Sequence, residues 1–260
     1  MYDLLFSPGK IGGLTLPNRI AMTAASASLS QPDGTMTEDM LAYYEARAKG
    51  GVGLIITEMV CVDEDRGVLF PRELNAAREE NIPSFRRLAD RVHPHGTKIF
   101  AQLFHPGANA DPKLNPLDLI SASPARGKKR GQARAATAEE IHAIAAKFGQ
   151  AARRVQEAGF DGVEVHAGHH YFLHSFLSPV TNHRTDRFGG SLAKPHSDPP
   201  GDRGGHPGRL RAGLPPDVPH LPGGVHRQGR LPRRHRHQDL PDAGGLGGGR
   251  HQRHRLRHRQ

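Results

Sequence analysis

Short apolar runs alternate with amphipathic stretches over residues 19–166. The strand-like runs are RIAM (19–22), VGLIITEM (52–59), KIFAQLF (98–104) and DGVEVH (161–166). Helix-like patterns lie between them at 37–49, at 82–92 and from Thr137 to Gly159. The second and third runs are almost continuously apolar, as expected for strands covered on both faces. Strands alternating with helices predict an α/β fold with a parallel sheet.

The third helix has the clearest start signal. Thr137 is followed three residues later by Glu140, which is the spacing of a capping box. After it comes an apolar stripe at helical spacing: Ile141, Ile144, Ala145, Phe148, Ala152 and Val155. We therefore expect this helix to begin at Thr137 and to pack on the sheet.

Polar residues follow each strand-like run. They are Thr23, Ser26, Glu58, Gln102, His105, His166, His169 and Tyr171. In a (β/α)8 barrel the carboxyl ends of the strands form the active-site face. A doubly wound sheet would also bind ligands there, but no G-x-G-x-x-G follows any of these runs. The pattern favours a barrel over a dinucleotide-binding sheet.

The densest chemistry is HAGHHY, directly after the fourth strand. His166 and His169 are both able to donate N–H bonds to one oxygen that gains negative charge. Tyr171 is placed to supply a proton to a neighbouring atom. Two alternatives stay open: histidines with a purely structural role, and a zinc site. The chain has no H-E-x-x-H motif and a single cysteine, so few zinc ligands are evident.

Two isolated polar residues are weaker candidates. Gln102 lies inside an apolar strand, where a carboxamide is costly unless it is paired. Its partner is predicted to be either a planar ligand with donors and acceptors or neighbouring backbone. The Ser26 hydroxyl is able to bond a ligand carbonyl or to close a turn.

Four stretches, in order, resemble the Old Yellow Enzyme family of flavin-dependent oxidoreductases. They are FSPGKIGGLTLPNRIAM near the start, DGTMTEDMLAYYEARAKGGVGLIITE, QLFHPG, and DGVEVHAGHHYFLHSFLSPVTNHRTDRFGGS at 161–191. The resemblance extends over residues 3–193. It implies a (β/α)8 TIM barrel, of which about the first four β/α units are present. This chain departs from the family at His170, where Gly is usual, and at Ala24, where Pro is common.

The resemblance implies FMN as cofactor and NADH or NADPH as reductant. Residues implied to contact FMN are Ala24, Ala25, Ser26, Met59, Gln102 and His166. His166 and His169 would hold the oxygen of an α,β-unsaturated carbonyl or an enoyl or dienoyl thioester. Tyr171 would protonate the α carbon while reduced flavin delivers hydride to the β carbon. The small-molecule substrate is thus an activated alkene, and the intact protein is a candidate homo-oligomer.

Composition divides the chain in two. The 260 residues carry a formal charge of +10, yet residues 1–193 are nearly neutral, with 22 Lys and Arg against 21 Asp and Glu. Residues 194–260 contain 13 Arg and one Lys against five Asp, and no Ile, Phe, Tyr or Met. We therefore predict a folded segment at 1–193 and a disordered basic tail at 194–260.

The tail has two explanations. Shifting the codons of residues 194–202 by one base permits N-R-T-R-I-L-L-E-I, which suits the next helix of the family. We therefore expect a frame-shifted gene and a chain that is truncated, impaired and weak in FMN binding. The rivals are a non-catalytic fragment and a basic tail that binds nucleic acid. Nucleic-acid binding is disfavoured because the tail has no aromatic residues for stacking on bases.

The single cysteine, Cys61, excludes an internal disulfide and suits a reducing compartment. The chain has no run of 18 apolar residues, so no membrane span is expected. The start of the sequence has no basic segment followed by an apolar one, as a secretory signal would. Together these features predict a cytoplasmic protein.

Overall fold

A computed structural model describes residues 2–129 and 131–190. The predicted tail, 194–260, lies outside the described residues. In chain order the helices and strands are α1 (Asp3–Phe6), β1 (Gly9–Ile11), β2 (Leu14–Leu16), β3 (Ala21–Met22), α2 (Glu38–Lys49), β4 (Leu54–Cys61), β5 (Leu74–Asn75), α3 (Ile82–Val92), β6 (Lys98–Phe104), β7 (Leu119–Ser121), β8 (Ala125–Arg126), β9 (Gln132–Ala135), α4 (Ala138–Glu157), β10 (Gly162–Val165) and α5 (Phe172–Leu177).

The central sheet has four parallel strands in the spatial order β10-β6-β4-β3, with β5 pairing the end of β4. Each strand therefore neighbours the next one in the sequence, and helices α2, α3 and α4 make the connections. This is the strand order of successive β/α units in a barrel. The predicted α/β fold and its four β/α units are confirmed.

The main core lies between the sheet and the three connecting helices. Fully buried residues from the strands, such as Ile55 and Ile99, pack there with Leu41, Leu88 and Val155 of the helices. Alternate strand residues face the opposite side. Leu54 and Phe100 pack there against Leu16 of the hairpin β1–β2. The hairpin thus covers the amino-terminal ends of the strands and leaves their carboxyl ends for a site.

Two observed strands differ in their boundaries from the predicted ones. The strand predicted at 52–59 runs from Leu54 to Cys61, and only Ala21–Met22 of the first predicted strand pairs with a neighbour. The helix boundaries match closely. The Thr137 hydroxyl accepts a bond from the Glu140 amide, and the Glu140 carboxylate accepts one from the Thr137 amide, so the capping box is present.

A small three-stranded sheet, in the order β7-β9-β8, forms after β6. Leu119 and Ala133 of this sheet pack in a separate cluster with Ala108 and Ala110 of the preceding turn. The Ala122 amide, directly after β7, donates to the Ser175 hydroxyl of α5 at 3.0 Å. The small sheet therefore supports the segment that follows β10.

Candidate active site

Met59, Gln102 and Glu164 lie at the same register position on three neighbouring strands. Met59 on β4 pairs with Gln102 on β6, and Gln102 pairs with Glu164 on β10. A bulge between Ile56 and Met59 brings Met59 into this position. The row lies toward the carboxyl ends of the strands, which is the face where a barrel carries its chemistry.

The Gln102 carboxamide has a partner that neither prediction named. Its Nε2 donates to Glu164 Oε1 at 2.6 Å. Because this bond joins two side chains, the expectation of a backbone partner is wrong. A ligand partner for Gln102 stays a prediction. With the NH2 group turned toward Glu164, the Gln102 Oε1 accepts no hydrogen bond within residues 2–129 and 131–190.

His166, His169 and Tyr171 converge beyond β10, as the sequence predicted. The ring centroids are 4.8 Å apart for His166 and His169, 4.9 Å for His166 and Tyr171, and 5.9 Å for His169 and Tyr171. All three pairs meet edge to face. The remaining histidine of the motif, His170, turns away and meets His174 instead.

The hydrogen bonds settle the tautomer of His166. The Gly168 amide donates to Nδ1 at 3.1 Å, so the ring proton of the neutral form is on Nε2. That Nε2 lies 3.0 Å from His169 Nδ1. The two imidazoles therefore bond to each other, whereas the sequence predicted that both would donate to one shared oxygen. Burial, and after it the nearness of His169, lowers the pKa of His166.

Tyr171 carries a free phenol group. Its Oη forms no hydrogen bond within the described part of the chain, and its ring packs 5.5 Å from that of Phe104. Burial, followed by the charge of Glu73, raises the pKa of Tyr171. The phenol therefore keeps its proton at neutral pH.

The predicted cofactor-binding segment follows β3. Ala25 and Ser26 are exposed, Ala24 is partly exposed, and Ser26 forms no hydrogen bond in the described structure. Glu58 ties the segment to β4, because its Oε2 accepts a bond from the Ala27 amide at 2.5 Å. The Glu58 amide in turn donates to the phenol oxygen of Tyr44. The exposed stretch is thus anchored on one side by a buried carboxylate.

The sequence analysis did not select Glu164, the partner of Gln102. A signal was present, because Glu164 stands two residues before His166 in a strand, and alternate strand residues face the same side.

The zinc alternative finds no ligand set in residues 2–129 and 131–190: no three His, Cys, Asp or Glu side chains are grouped to hold a metal ion there.

The donors and acceptors suit one edge of a flavin. An isoalloxazine presents an N–H between two carbonyl oxygens on its pyrimidine ring. Gln102 Oε1 is available to accept from such an N–H, and the Met59 side chain supplies apolar contact in the same row. The residues present therefore fit FMN.

None of the helices in the described ranges has the length and apolar content to span a bilayer.

Comparisons with known proteins agree with the geometry. Residues 4–195 match the sequence pattern of the NADH:flavin oxidoreductase / NADH oxidase family. An NADH oxidase of Thermoanaerobacter brockii is 41% identical over 192 residues, which are 73% of this chain and 30% of that protein. An NADPH dehydrogenase of Listeria monocytogenes is 40% identical over 194 residues, covering 72% of this chain and 54% of that protein.

A structural match shows the same fold. The Old Yellow Enzyme homologue from Zymomonas mobilis superposes with a TM-score of 0.68 at 30% identity, covering 72% of this chain and 55% of that chain. The chain thus spans about half, or less, of the relatives it matches, and its four strands correspond to part of their TIM barrel. The resemblance seen in the sequence is confirmed: the chain belongs to the NADH:flavin oxidoreductase / NADH oxidase family, which includes the Old Yellow Enzymes.

Proposed function

We propose that this chain carries the FMN-binding, substrate-activating half of an ene-reductase. Its reaction would be the NADH- or NADPH-driven reduction of the C=C bond in an α,β-unsaturated carbonyl compound or thioester. Family membership supports FMN as the cofactor and a nicotinamide nucleotide as the reductant. The observation that carries the proposal is the convergence of two imidazoles and one phenol beyond β10.

The histidine pair would bind the substrate oxygen. In this structure the Nε2–H of His166 is directed at His169 Nδ1, a neutral acceptor. A carbonyl oxygen that gains negative charge is a stronger acceptor than a neutral imidazole nitrogen, so it would displace that bond. Holding the oxygen draws electron density from the β carbon and makes it electrophilic. The stabilisation grows as the charge develops, which is the condition for catalysis.

Tyr171 would provide the proton. Because its phenol is protonated and otherwise unbonded, it is free to donate to the α carbon of a substrate held by the histidines. FMN, when bound by these residues, would supply the hydride chemistry at the β carbon, with NADH or NADPH as the reductant. Hydride and proton together convert the double bond to a single bond.

Gln102, Met59 and the 24–26 segment would hold the cofactor. Glu164 orients the Gln102 amide so that Oε1 is presented as an acceptor. Ala24 and Ala25 have small side chains, so a flat ring system can approach their backbone closely. The Ser26 hydroxyl has no partner in the described structure and would be available to the ring.

Substitution of Tyr171 tests the function. In the 260-residue chain loaded with FMN, Tyr171→Phe should lower kcat for reduction of 2-cyclohexenone by NADPH by about 10²–10⁴-fold. The free energy of unfolding should hardly change, because the lost hydroxyl has no bonding partner in the described structure. Tyr43→Phe, on α2 and away from the site, is the matched control and should retain full activity. Measurable turnover that is equal in the two variants would contradict the proposal.

We also propose, as the sequence suggested, that the reading frame shifts near residue 194 and that FMN binding is weaker than in relatives of full length. The four strands are about half of the barrel in those relatives. Sequencing the gene around codon 194 tests the shift directly. If no single-base change restores a family-like continuation, the shift is refuted. A dissociation constant for FMN equal to that of a full-length relative would refute weak binding.

A further inference from the structure

A buried carboxylate and imidazole lie behind the loop that carries His166 and Tyr171. The side chains of Asp63, after β4, and His105, after β6, are 1% and 0% exposed. His105 Nε2 stands 3.5 Å from Asp63 Oδ2, which is an ion-pair distance, and neither atom has a hydrogen-bond partner in the described part of the chain. The other oxygen of Asp63 accepts from Lys147 Nζ at 2.6 Å. The pair therefore joins three elements, with a lysine from α4 balancing the buried charge.

The ring of His105 is held in one orientation. Its Nδ1 accepts a bond from the Gly107 amide at 3.0 Å, which leaves the ring proton on Nε2, the atom that faces Asp63. Burial alone would raise the pKa of Asp63, but the nearby His105 ring and the hydrogen bond and charge of Lys147 outweigh burial and lower it. Asp63 therefore remains an anion that faces the Nε2–H of His105.

The turn at residues 105–109 forms the support for the residues around Tyr171. The Phe172 amide donates to the His105 carbonyl oxygen at 3.0 Å, and Asn109 Nδ2 donates to the His170 carbonyl oxygen at 3.2 Å. The rings of His105 and Phe172 lie 5.0 Å apart. Gly107 has a φ of +60°, and a Cβ there would come within 3.0 Å of the Phe172 backbone. The backbone on both sides of Tyr171 is thus bonded to this turn.

We propose that His105, oriented by Asp63, is a positioning residue that sets the phenol of Tyr171 relative to His166 and His169. The proposal rests on the proposed function, in which Tyr171 is the proton donor. His105 is itself too deeply buried to touch substrate, so it acts through the turn at 105–109. A shift of about 1 Å at a reacting group is enough to cost about a hundredfold in rate.

Three variants of the full chain separate positioning from stability. Asp63→Asn removes the charge that orients His105. His105→Asn retains an acceptor for the Gly107 amide but cannot reach Asp63. Asp65→Asn is the matched control, because Asp65 also bonds Lys147, at 3.2 Å, yet is half exposed and does not contact His105. His105→Asn keeps the Asp63–Lys147 bond, so it carries the test if Asp63→Asn fails to fold.

The readouts are the NMR ring signals of Tyr171, assigned with Tyr171→Phe, and kcat and KM for 2-cyclohexenone with FMN and NADPH. We expect Asp63→Asn and His105→Asn to shift the Tyr171 signals and to lower kcat at least about tenfold with little change in KM. Asp65→Asn should do neither. Wild-type Tyr171 signals in His105→Asn, with only a lower free energy of unfolding, would overturn the proposal.

The same set distinguishes failure of the two proposals. If Tyr171→Phe keeps its activity, the proposed role of Tyr171 in catalysis is wrong. The NMR shift in Asp63→Asn and His105→Asn would still show that these residues position the phenol. If Tyr171→Phe is inactive but the signals do not move in His105→Asn, only the positioning role of His105 is wrong.

Discussion

Gln102 and Glu164, 62 residues apart in the chain, are joined by a 2.6 Å hydrogen bond from Nε2 to Oε1 across neighbouring strands. A carboxamide whose NH2 group donates to a carboxylate has a defined orientation. Gln102 therefore presents its Oε1, and not its NH2 group, toward the rest of the site. Glu164 therefore acts on the proposed cofactor site without having to touch the cofactor.

Glu164→Ala should weaken FMN binding. Without its carboxylate partner the Gln102 amide is free to flip, and the oriented acceptor is lost. A hydrogen bond to a charged group contributes about 1.5–3 kcal/mol, so we expect the dissociation constant for FMN to rise about tenfold or more. Quenching of flavin fluorescence on titration with protein measures it. Glu157→Ala, which removes an exposed glutamate at the end of α4, is the control and should bind like the wild type.

The pH dependence of His166 follows from its partial burial and, after that, from the neighbouring His169. Burial and the neighbouring imidazole lower the pKa of His166, and Glu164 opposes them only in part. In ¹⁵N NMR titrations the midpoint for His166 should lie below the ordinary 6.5. In His169→Asn, which removes the second imidazole, the midpoint should rise toward 6.5. A midpoint above 6.5 in the wild type would contradict the geometry.

The same shift affects stability. Because the folded state binds a proton at His166 less readily than the unfolded state does, protonation favours unfolding. The contribution of this group to the free energy of unfolding is intact above pH 6.5 and declines as the pH falls below that value. Urea unfolding at pH 7.5 and at pH 5.5 should show a smaller decline for His169→Asn than for the wild type.

His170 has a backbone conformation that suits glycine. Its φ is +60°, a region in which a Cβ is unfavourable, and the preceding His169 is also left-handed at +55°. His170→Gly should therefore raise the free energy of unfolding by about 0.5–1 kcal/mol, measured by urea denaturation. The bond from Asn109 to the His170 carbonyl oxygen is unaffected by this change.

His170→Ala separates backbone strain from the side chain. It removes the imidazole and its contact with His174 but keeps a Cβ in the left-handed region. We expect no gain in stability from this variant. A gain as large as that of His170→Gly would mean that crowding by the imidazole, and not the backbone conformation, is what destabilises the loop.

The sequence predicted the parallel strands and their helices because each has a local signature. Continuous apolar runs mark strands that are covered on both faces, and the Thr137–Glu140 pair marks a helix start that forms within four residues. The small sheet β7-β9-β8 left no such signature. Its strands are two to four residues long, Ala133 packs with Leu119 in a small separate cluster, and the Ala122 amide beside the sheet donates to the distant Ser175.

The sequence by itself indicated that imidazoles and a phenol cluster after the fourth strand, because three histidines and Tyr171 stand within six residues, whereas the structure decided that His170 turns away from the other three rings. It also determined the family, through motifs in order. Only the tertiary structure decided that His166 bonds His169, that Gln102 bonds Glu164, and that Asp63 faces His105. The reason is physical: hydrophobic periodicity reports which face of an element is buried, whereas strand register and loop packing choose the partner of each polar group.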